Sequence, residues 1–387
     1  MQNSNYMTKE SVLSNTIKWF RFPMTLAIIP AHANLVRYGL LIHGEQYGMN
    51  YPDWYFYMGV FLSEIMGSIS VPLFFVISGY LFFYKSDFDG QVYKKKLKSR
   101  FKSLMIPYLL WNLIILLAMG AKLLPIFSFI FNNSNNVEFH FSLARLFNTF
   151  FYYDGTNGLL VYPDLGIPRE TPIPINGPLW YVRDLMVMVL LSPVVYWIIK
   201  YTKFWLIITI GVVLYIFGRD FLPNFKYVSL ILGYMFFFSW GAYYSINKQD
   251  LITQIRKFKY VALLIIPLTF INLFTIGTEY NKYIFFPFVL TSTISLIVIV
   301  SYLIEKDKIH VNSALANSAF FLYAMHALII VDMGKVLFVG LHLTDTPIVM
   351  TILYFAIPIL TISICLITYF ILKKYAPKLC SLLSGGR

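Results

Sequence analysis

Ten long apolar segments dominate this sequence of 387 residues. Each runs for about 20 residues, the length of helix that crosses the hydrocarbon core of a bilayer. Only 13% of the chain is charged, against about 25% in an ordinary soluble domain. The sequence therefore predicts an all-α integral membrane protein with ten transmembrane helices, at residues 18–41, 64–84, 103–126, 178–199, 203–222, 228–246, 259–276, 283–304, 313–338 and 347–372.

The basic residues between these segments predict the orientation of the chain. Lys and Arg concentrate in alternate connections, above all in 85–102, which explains the net charge of +13 without nucleic acid. Because cytoplasmic loops are enriched in Lys and Arg, we expect both termini in the cytoplasm. The predicted organisation is a cytoplasmic segment 1–17, a transmembrane domain 18–372 and a cytoplasmic tail 373–387. The N-terminus lacks a secretory signal, so we expect it to be retained.

One non-cytoplasmic connection, about residues 127–177, is unusually long. Loops of this length are commonly binding elements. We expect a ligand to contact its polar and aromatic side chains and the residues that follow, for which an interfacial aromatic belt is the alternative. The residues concerned are Tyr152, Tyr153, Asn157, Trp180 and Tyr181. A short helix at the membrane interface is predicted from the spacing of Phe139, Phe141, Phe147, Phe150, Phe151 and Tyr152.

The first segment contains two polar side chains eleven positions apart, Arg21 and His32. In an uninterrupted α-helix they would lie within about 20° of one face and about 16 Å apart along the axis. Pro30 breaks a backbone hydrogen bond and predicts a kink, which favours a cavity beside it. Titratable groups at this depth usually mark a functional site. The alternative is a structural histidine bonded to a neighbouring helix.

The ninth segment supplies a second histidine, His326, at a similar predicted depth. Tyr323 precedes it by three positions, on the same helix face. Two titratable rings at one depth favour a cavity shared by His32 and His326.

The fourth and second segments carry further candidates. Arg183 and Asp184 follow Trp180 near the outer membrane boundary. Adjacent residues do not face each other on a helix, so we expect each to find its partner elsewhere, the alternative to a binding role being an inter-helix ion pair. Ser78 and Gly79 are small enough to admit a ligand or a neighbouring helix backbone.

The basic segment before the third apolar segment has more cations than topology requires. Such a patch attracts a polyphosphorylated ligand such as coenzyme A, or anionic lipid. Its members are Lys94, Lys95, Lys96, Lys98, Arg100 and Lys102. The sequence contains no phosphate-binding glycine loop, HExxH or GxSxG motif, and its two cysteines indicate neither a disulfide framework nor a metal site.

Together these residues resemble the membrane-bound acyltransferase-3 family, which includes bacterial O-acetyltransferases of surface polysaccharides. The resemblance covers nearly the whole chain. It is carried by the spacing of Arg21 and His32, by FFVISGY, by the basic segment leading into IPYLLW, by LWYVRDL and by the late tyrosine–histidine pair. The resemblance implies a ten-helix core that transfers an acyl group, often acetyl, from cytoplasmic acyl-coenzyme A to a glycan hydroxyl.

The resemblance also implies roles for two residues. Arg21 would hold or orient the donor, and His32 would act as general base, because an imidazole titrates near neutral pH. An acyl-histidine intermediate is a variant of this mechanism. We expect acyl-coenzyme A as co-substrate, a glycan or lipid-linked saccharide as acceptor, and no metal, permanently bound cofactor or nucleic acid.

Two other functions are compatible with ten helices and a polar cavity. One is an exporter or flippase of a glycan or organic acid, without acyl-transfer chemistry, and the other is a structural subunit of an export complex. Some relatives append a soluble extracytoplasmic domain. This chain ends about fifteen residues after the tenth segment, so we expect it to act alone or with a separate protein.

Overall fold

The computed structural model describes residues 8–33, 52–122, 137–161, 173–221, 226–341 and 346–386. Most of these residues are helical, and the strands among them are β1 (Glu138–Phe139) and β2 (Leu160–Val161). The α-helices are α1 (Lys9–Ile28), α2 (Asp53–Val60), α3 (Met66–Phe83), α4 (Gly90–Arg100), α5 (Ile106–Lys122), α6 (Leu143–Phe151), α7 (Trp180–Leu190), α8 (Ser192–Tyr201), α9 (Phe204–Phe221), α10 (Lys226–Ile246), α11 (Leu251–Ile255), α12 (Ile265–Thr275), α13 (Asn281–Glu305), α14 (Ser313–Gly340), α15 (Pro347–Tyr375) and α16 (Pro377–Leu383).

Every predicted apolar segment overlaps a helix of the described residues. Among the residues that the structure describes, five helices are long and apolar enough to cross a membrane, or up to seven if each of two bent pairs forms one span. The five are Asp53–Phe83, Gly90–Lys122, Asn281–Glu305, Ser313–Ile330 and Pro347–Tyr375. These findings support an all-α, multi-pass membrane protein. The count of ten spans and the cytoplasmic position of both termini stay predictions.

The first helix begins earlier than predicted. The side chain of Thr8 accepts a hydrogen bond from the backbone N–H of Ser11 at 3.2 Å, which caps the start of α1. The helix therefore starts at Lys9 and extends into the segment that was predicted to lie outside the membrane domain. The end of the predicted segment, residues 34–41, lies outside the described residues.

Two helix pairs are sharply bent. Gly177–Leu190 and Ser192–Tyr201 meet at 58°, and Leu251–Phe258 and Val261–Thr275 meet at 64°. In the first pair, Pro193 is near the start of α8. Proline lacks an N–H donor and its ring clashes with the preceding turn, so α7 does not continue straight into α8.

The described residues form two compact units. The first unit comprises residues 8–33, 52–96 and 188–319, and the second comprises residues 97–187 and 320–386, each with the gaps stated above.

In the first unit, α3 and α10 pack with their backbones in close approach. A Cβ atom at Gly79 would collide with the carbonyl oxygen of Phe238, and one at Gly241 would collide with that of Val76. Two glycines thus let the helices meet through small surfaces, as is common between membrane helices. Of the two roles considered for Gly79, helix packing is the one observed, and Ser78 beside it is half-buried.

In the second unit, the C-terminal segment packs on α5. The indole N–H of Trp111 donates to the carbonyl oxygen of Leu383 at 3.0 Å, and its ring meets Phe321 edge-on with centroids 5.2 Å apart. Gly385 has a φ of +70° and approaches the carbonyl of Ser103 so closely that a Cβ would clash. The predicted tail is therefore helical as far as Leu383 and packed, and its thiol at Cys380 is buried and free.

The long connection contains the short helix that its aromatic spacing predicted, as α6. Ser142 caps this helix by accepting a hydrogen bond from the N–H of Arg145 at 3.1 Å. Phe139 and Phe141 precede the cap and are therefore not helical, contrary to the prediction, and Phe139 lies in β1, paired with Leu160. Residues 123–136 and 162–172 of the connection lie outside the described residues.

We predict that Gly79→Ala and Gly241→Ala each lower the stability of the purified protein. Each new methyl group meets a backbone carbonyl, and overpacking of this kind costs about 1–3 kcal/mol. Gly120→Ala is the matched control, because nothing lies within 4 Å of its Cβ position. Alanine favours a helix over glycine by about 1 kcal/mol, so this control should lose nothing. Unfolding in detergent measures all three, and equal stabilities would contradict the close approach.

Candidate active site

His32 lies where the first helix changes its backbone form. The α-helix ends at Ile28, and a 3-10 turn, Ile29–His32, follows. The N–H of Ala33 donates to the carbonyl oxygen of Pro30 at 3.1 Å, closing this tighter turn. The interruption predicted from Pro30 is therefore confirmed. His32 is half-buried, and so is Arg21, eleven residues earlier.

The 3-10 turn alters the expected relation of Arg21 to His32. Such a turn rotates about 120° per residue, against about 100° in an α-helix. The placement of both side chains on one face, which assumed an uninterrupted α-helix, therefore does not hold. The two residues share one helical segment and differ in direction around its axis.

The turn that carries His32 packs against a π-helical segment, Phe61–Ile65, which joins α2 to α3. The hydroxyl of Ser63 approaches the carbonyl oxygen of Pro30 at 3.5 Å. Further along the helix, the Cβ position of Gly67 is 3.6 Å from Cβ of Ala31. The 3-10 turn is thus covered by protein at Pro30 and Ala31, as irregular backbone at membrane depth requires.

A cavity of about 220 Å³ lies beside α1, one turn before Arg21. Lys18 contributes to its wall and precedes Arg21 by three positions, so the two cations are close neighbours on α1. The lining residues are Asn15, Lys18, Ile304, Ile309, His310, Val311 and Ser313. A cavity with this polar lining suits an anionic or strongly polar group.

The basic segment lies on α4 and on a second π-helical segment, Phe101–Met105. Four of its lysines are exposed: Lys94, Lys95, Lys98 and Lys102. Lys96 is different, because its ammonium donates to the carbonyl oxygen of Phe82 and, at 2.8 Å, to Ser86 Oγ. A cation at the last carbonyls of α3 stabilises that helix end. Lys96 therefore has a structural role that the sequence did not reveal.

Arg100, like Lys96, is half-buried. It lies within electrostatic reach of Tyr181, on α7 of the same unit. The side chain of Arg100 therefore belongs to the interior of the second unit, unlike the exposed lysines around it.

Arg183 and Asp184 pair with each other, contrary to the expectation that each would bond elsewhere. Arg183 Nε donates to Asp184 Oδ1 at 2.8 Å, with both side chains almost fully buried. The long arginine side chain can curl back along the helix, so adjacency in sequence does not prevent the bond. Arg183 also donates to the carbonyl oxygen of Phe151 at 2.6 Å. The pair is thus local to α7, and it fixes the end of α6.

Two buried asparagines extend this polar region. The N–H of Asn176 donates to Asn112 Oδ1 at 3.0 Å, and the amide of Asn176 donates to the carbonyl oxygen of Ala324, also at 3.0 Å. Tyr108, one turn before Asn112, donates to the carbonyl oxygen of Phe150. These bonds connect α5, α6, the approach to α7 and α14.

Tyr323 and His326 lie together on α14, as their spacing predicted. Their ring centroids are 6.1 Å apart, and Tyr323 donates to the carbonyl oxygen of Pro178, just before α7. His326 is fully buried. The structure thus brings Arg183, Asp184, Tyr323 and His326 into one unit. His32 and Arg21 belong to the other unit, so a cavity shared by the two histidines stays a prediction.

The aromatic candidates of the long connection differ in accessibility. Tyr153 is buried and donates to the carbonyl oxygen of Leu160 at 2.8 Å, while Asn157 donates to that of Tyr152, also at 2.8 Å. These two residues therefore hold the connection together. Tyr152 is 40% exposed, and Trp180, at the start of α7, is half-buried, so both are more accessible to an acceptor.

Sequence reasoning missed the two asparagines and the polar residues of the first π segment. Asn112 was visible as a lone amide in an apolar segment, which is a signal of a buried partner. Ser63 directly precedes the predicted second segment, 64–84, and Glu64 is its first residue, so neither was considered as a site residue. Within the described residues, no three His, Cys, Asp or Glu side chains come together as a metal-binding group.

Comparison with known proteins finds similarity along most of the chain. A family described as an acyltransferase domain matches residues 15–370. The chain is also similar to the succinoglycan biosynthesis protein ExoH of Rhizobium meliloti (strain 1021), at 25% identity over 354 residues. That similarity covers 88% of this chain and 84% of the relative. No solved structure matches the chain.

We predict that Asp184→Asn lowers the stability of the protein by about 3–5 kcal/mol, because it leaves the buried Arg183 without its counter-charge. The double variant Arg183→Met with Asp184→Leu should recover much of this loss, since no charge is then buried. Glu10→Gln is the control, because it breaks the exposed Lys85–Glu10 pair and should change little. Chemical unfolding in detergent measures each variant, and a fully stable Asp184→Asn protein would refute the role of the pair.

Proposed function

Because this chain belongs to the membrane acyltransferase-3 family and is therefore an integral-membrane O-acyltransferase, we propose that its donor is cytoplasmic acyl-coenzyme A, with acetyl as the acyl group. The acceptor is a hydroxyl of a cell-surface or lipid-linked glycan. The name of the Rhizobium meliloti relative, a succinoglycan biosynthesis protein, supports a glycan. The location that fits these substrates is the cytoplasmic membrane of a bacterium.

The placement of His32 supports the proposal more than any other observation. Its imidazole is half-buried on a 3-10 turn, inside a multi-pass membrane enzyme and next to an irregular helix of the same unit. In the proposed reaction, His32 takes the proton of the acceptor hydroxyl while the oxygen attacks the thioester carbonyl. The carbon–sulfur bond then breaks, and the imidazolium returns its proton to the departing coenzyme A thiolate.

Cations along the start of α1 would receive the donor. Lys18 lines the polar cavity beside α1, and Arg21 lies one turn further towards His32. A guanidinium binds phosphate or carboxylate oxygens through two parallel hydrogen bonds, which suits Arg21 to orient the anionic part of coenzyme A. The exposed lysines of the basic segment would add long-range attraction for the same phosphates.

The second unit would contribute to the acceptor side. Arg183 bonds the end of α6, and Tyr152 directly follows that helix with 40% of its surface exposed. Trp180 begins α7, three residues before Arg183. Aromatic rings and amides are common contacts for sugars, so we assign the acceptor to the part of the connection around Tyr152 and Trp180.

We predict that His32→Ala lowers acyl transfer by at least about 10²-fold, because general acid–base catalysis contributes about 10²–10⁴ in rate. The assay is transfer of labelled acetyl from acetyl-coenzyme A by the purified protein. Coenzyme A binding and membrane insertion serve as controls and should stay normal, since His32 acts on the acceptor proton. Activity within a few-fold of the parent would remove His32 from the mechanism, and no transfer by the parent protein would favour an exporter.

A second prediction concerns the exposed lysines. The variant Lys94→Gln, Lys95→Gln, Lys98→Gln should weaken coenzyme A binding, and more so at low salt, because salt screens exposed charges. Lys96 is retained, since it supports the end of α3.

The matched control neutralises three exposed lysines near the C-terminus, Lys373, Lys374 and Lys378, with the same change of net charge. Equal affinity in both triple variants, at low salt and with correct topology, would show that the basic segment does not attract the donor.

A further inference from the structure

We propose that Glu64 positions His32 for proton transfer, with its carboxylate accepting a hydrogen bond from the imidazole N–H. This inference rests on the acyl-transfer function proposed above. It assigns a role to the one charged side chain in the interior of the long apolar helix Asp53–Phe83. Charged groups inside membrane segments are costly and usually serve a function.

The contacts between the first and second helical segments give the level of Glu64. The Ser70 hydroxyl donates to the carbonyl oxygen of Met24 at 3.0 Å. The Gly67 Cβ position is 3.9 Å from the carbonyl oxygen of Ala27 and 3.6 Å from Cβ of Ala31.

The series continues with Ser63, whose hydroxyl is 3.5 Å from the carbonyl oxygen of Pro30. From Ser70 back to Ser63, the contacted residues on the first segment advance from Met24 to Pro30. The two helical segments therefore run antiparallel. Glu64 lies between Ser63 and Gly67 and is therefore level with Pro30 and Ala31, directly before His32.

The direction of Glu64 follows from its neighbours on the same helix. Gly67, three positions later, lies on the same side of the helix as Glu64 and touches Ala31, the residue before His32. Ser63, one position earlier, faces Pro30. Ser63 and Gly67 mark the face of this helix that packs on α1. Glu64 lies at the edge of that face, from where its flexible side chain can reach along the side of the 3-10 turn to the His32 ring.

The backbone at Glu64 supports a functional assignment. Phe61–Ile65 is π-helical, and such segments occur often at functional sites because they redirect side chains relative to a regular helix. Glu64 is exposed, while Ser63 and Ile65 on either side are buried. An accessible carboxylate beside a half-buried imidazole leaves room for substrate.

Few other charges are available to take this role. In the described elements that pack closely on the 3-10 turn and on the π segment, the remaining charged residues are Lys9, Glu10, Lys18 and Arg21 on α1 and Asp53 on α2, while α3 and α12 carry none. All four on α1 lie at least three turns before His32, and Asp53 lies three turns before Glu64. Glu64 is thus the carboxylate at the level of His32.

The chemistry requires no net change at Glu64. By accepting one imidazole N–H, the carboxylate selects the tautomer whose other nitrogen faces the acceptor hydroxyl, and it stabilises the imidazolium formed during the reaction. The proton moves from the hydroxyl to His32 and then to the coenzyme A thiolate. Glu64 keeps its negative charge throughout, so it is a positioning residue.

The test compares Glu64→Gln, Glu64→Asp and Asp53→Asn in the full-length purified protein. Asp53→Asn is the matched control, because it removes an exposed carboxylate from the same long helix. We expect Glu64→Gln to lower kcat about 10²-fold while KM for acetyl-coenzyme A stays within about two-fold. Glu64→Asp should restore part of kcat, and Asp53→Asn should behave as the parent.

A second measurement reads the contact without depending on turnover. In protein labelled at histidine nitrogens, His32 should lose its proton at lower pH in Glu64→Gln than in the parent, because the imidazolium lacks its neighbouring carboxylate. The acidic limb of the pH–rate profile should move in the same direction. An unchanged His32 titration overturns the proposal whether or not the parent transfers acetyl, whereas failure of the parent to transfer acetyl overturns the proposed function alone. The positioning role of Glu64 is also overturned if Glu64→Gln has the same kcat and the same pH–rate profile as Asp53→Asn.

Discussion

Polar groups buried in this chain must find their partners inside the protein, because hydrocarbon offers no hydrogen bonds. The second unit shows how far this requirement reaches. Arg183 bonds Asp184 and the carbonyl oxygen of Phe151, and Asn176 bonds Asn112 and the carbonyl oxygen of Ala324. Because these partners come from different elements, satisfying them fixes where α5, α6, α7 and α14 lie relative to one another. These bonds therefore also fix the positions of the candidate residues on α7 and α14.

The same requirement explains where the helices deviate from regular geometry. The 3-10 turn at His32 and the π segment at Glu64 are packed against each other, so each covers backbone that the other leaves irregular. A second π segment, Phe101–Met105, follows the basic stretch of α4. Irregular backbone is tolerated inside a membrane only where protein or a water-filled cavity surrounds it.

The cations of the chain serve different purposes that net charge alone does not separate. Lys96 caps the end of α3, and Arg183 forms a buried ion pair. Lys94, Lys95 and Lys98 remain exposed. Exposed charges act at long range and are screened by salt, whereas buried ones act on their immediate partners. Outside the apolar segments, the hydrogen bond that Lys85 donates to Glu10 raises the pKa of Lys85, which keeps that surface lysine charged.

The sequence by itself determined the features that depend on neighbours along the chain. Apolar runs predicted the helices, Pro30 predicted the break before His32, and a spacing of three placed Tyr323 beside His326. The short helix α6 was also visible, although Ser142 moved its start past Phe141. Only the tertiary structure decided that Gly79 meets the backbone of α10, that Lys96 caps α3 and that Arg183 bonds Asp184. The physical reason is that hydropathy and helix period record local preferences. The partner of a buried polar group, such as Ala324 for Asn176, depends instead on which distant segments pack together.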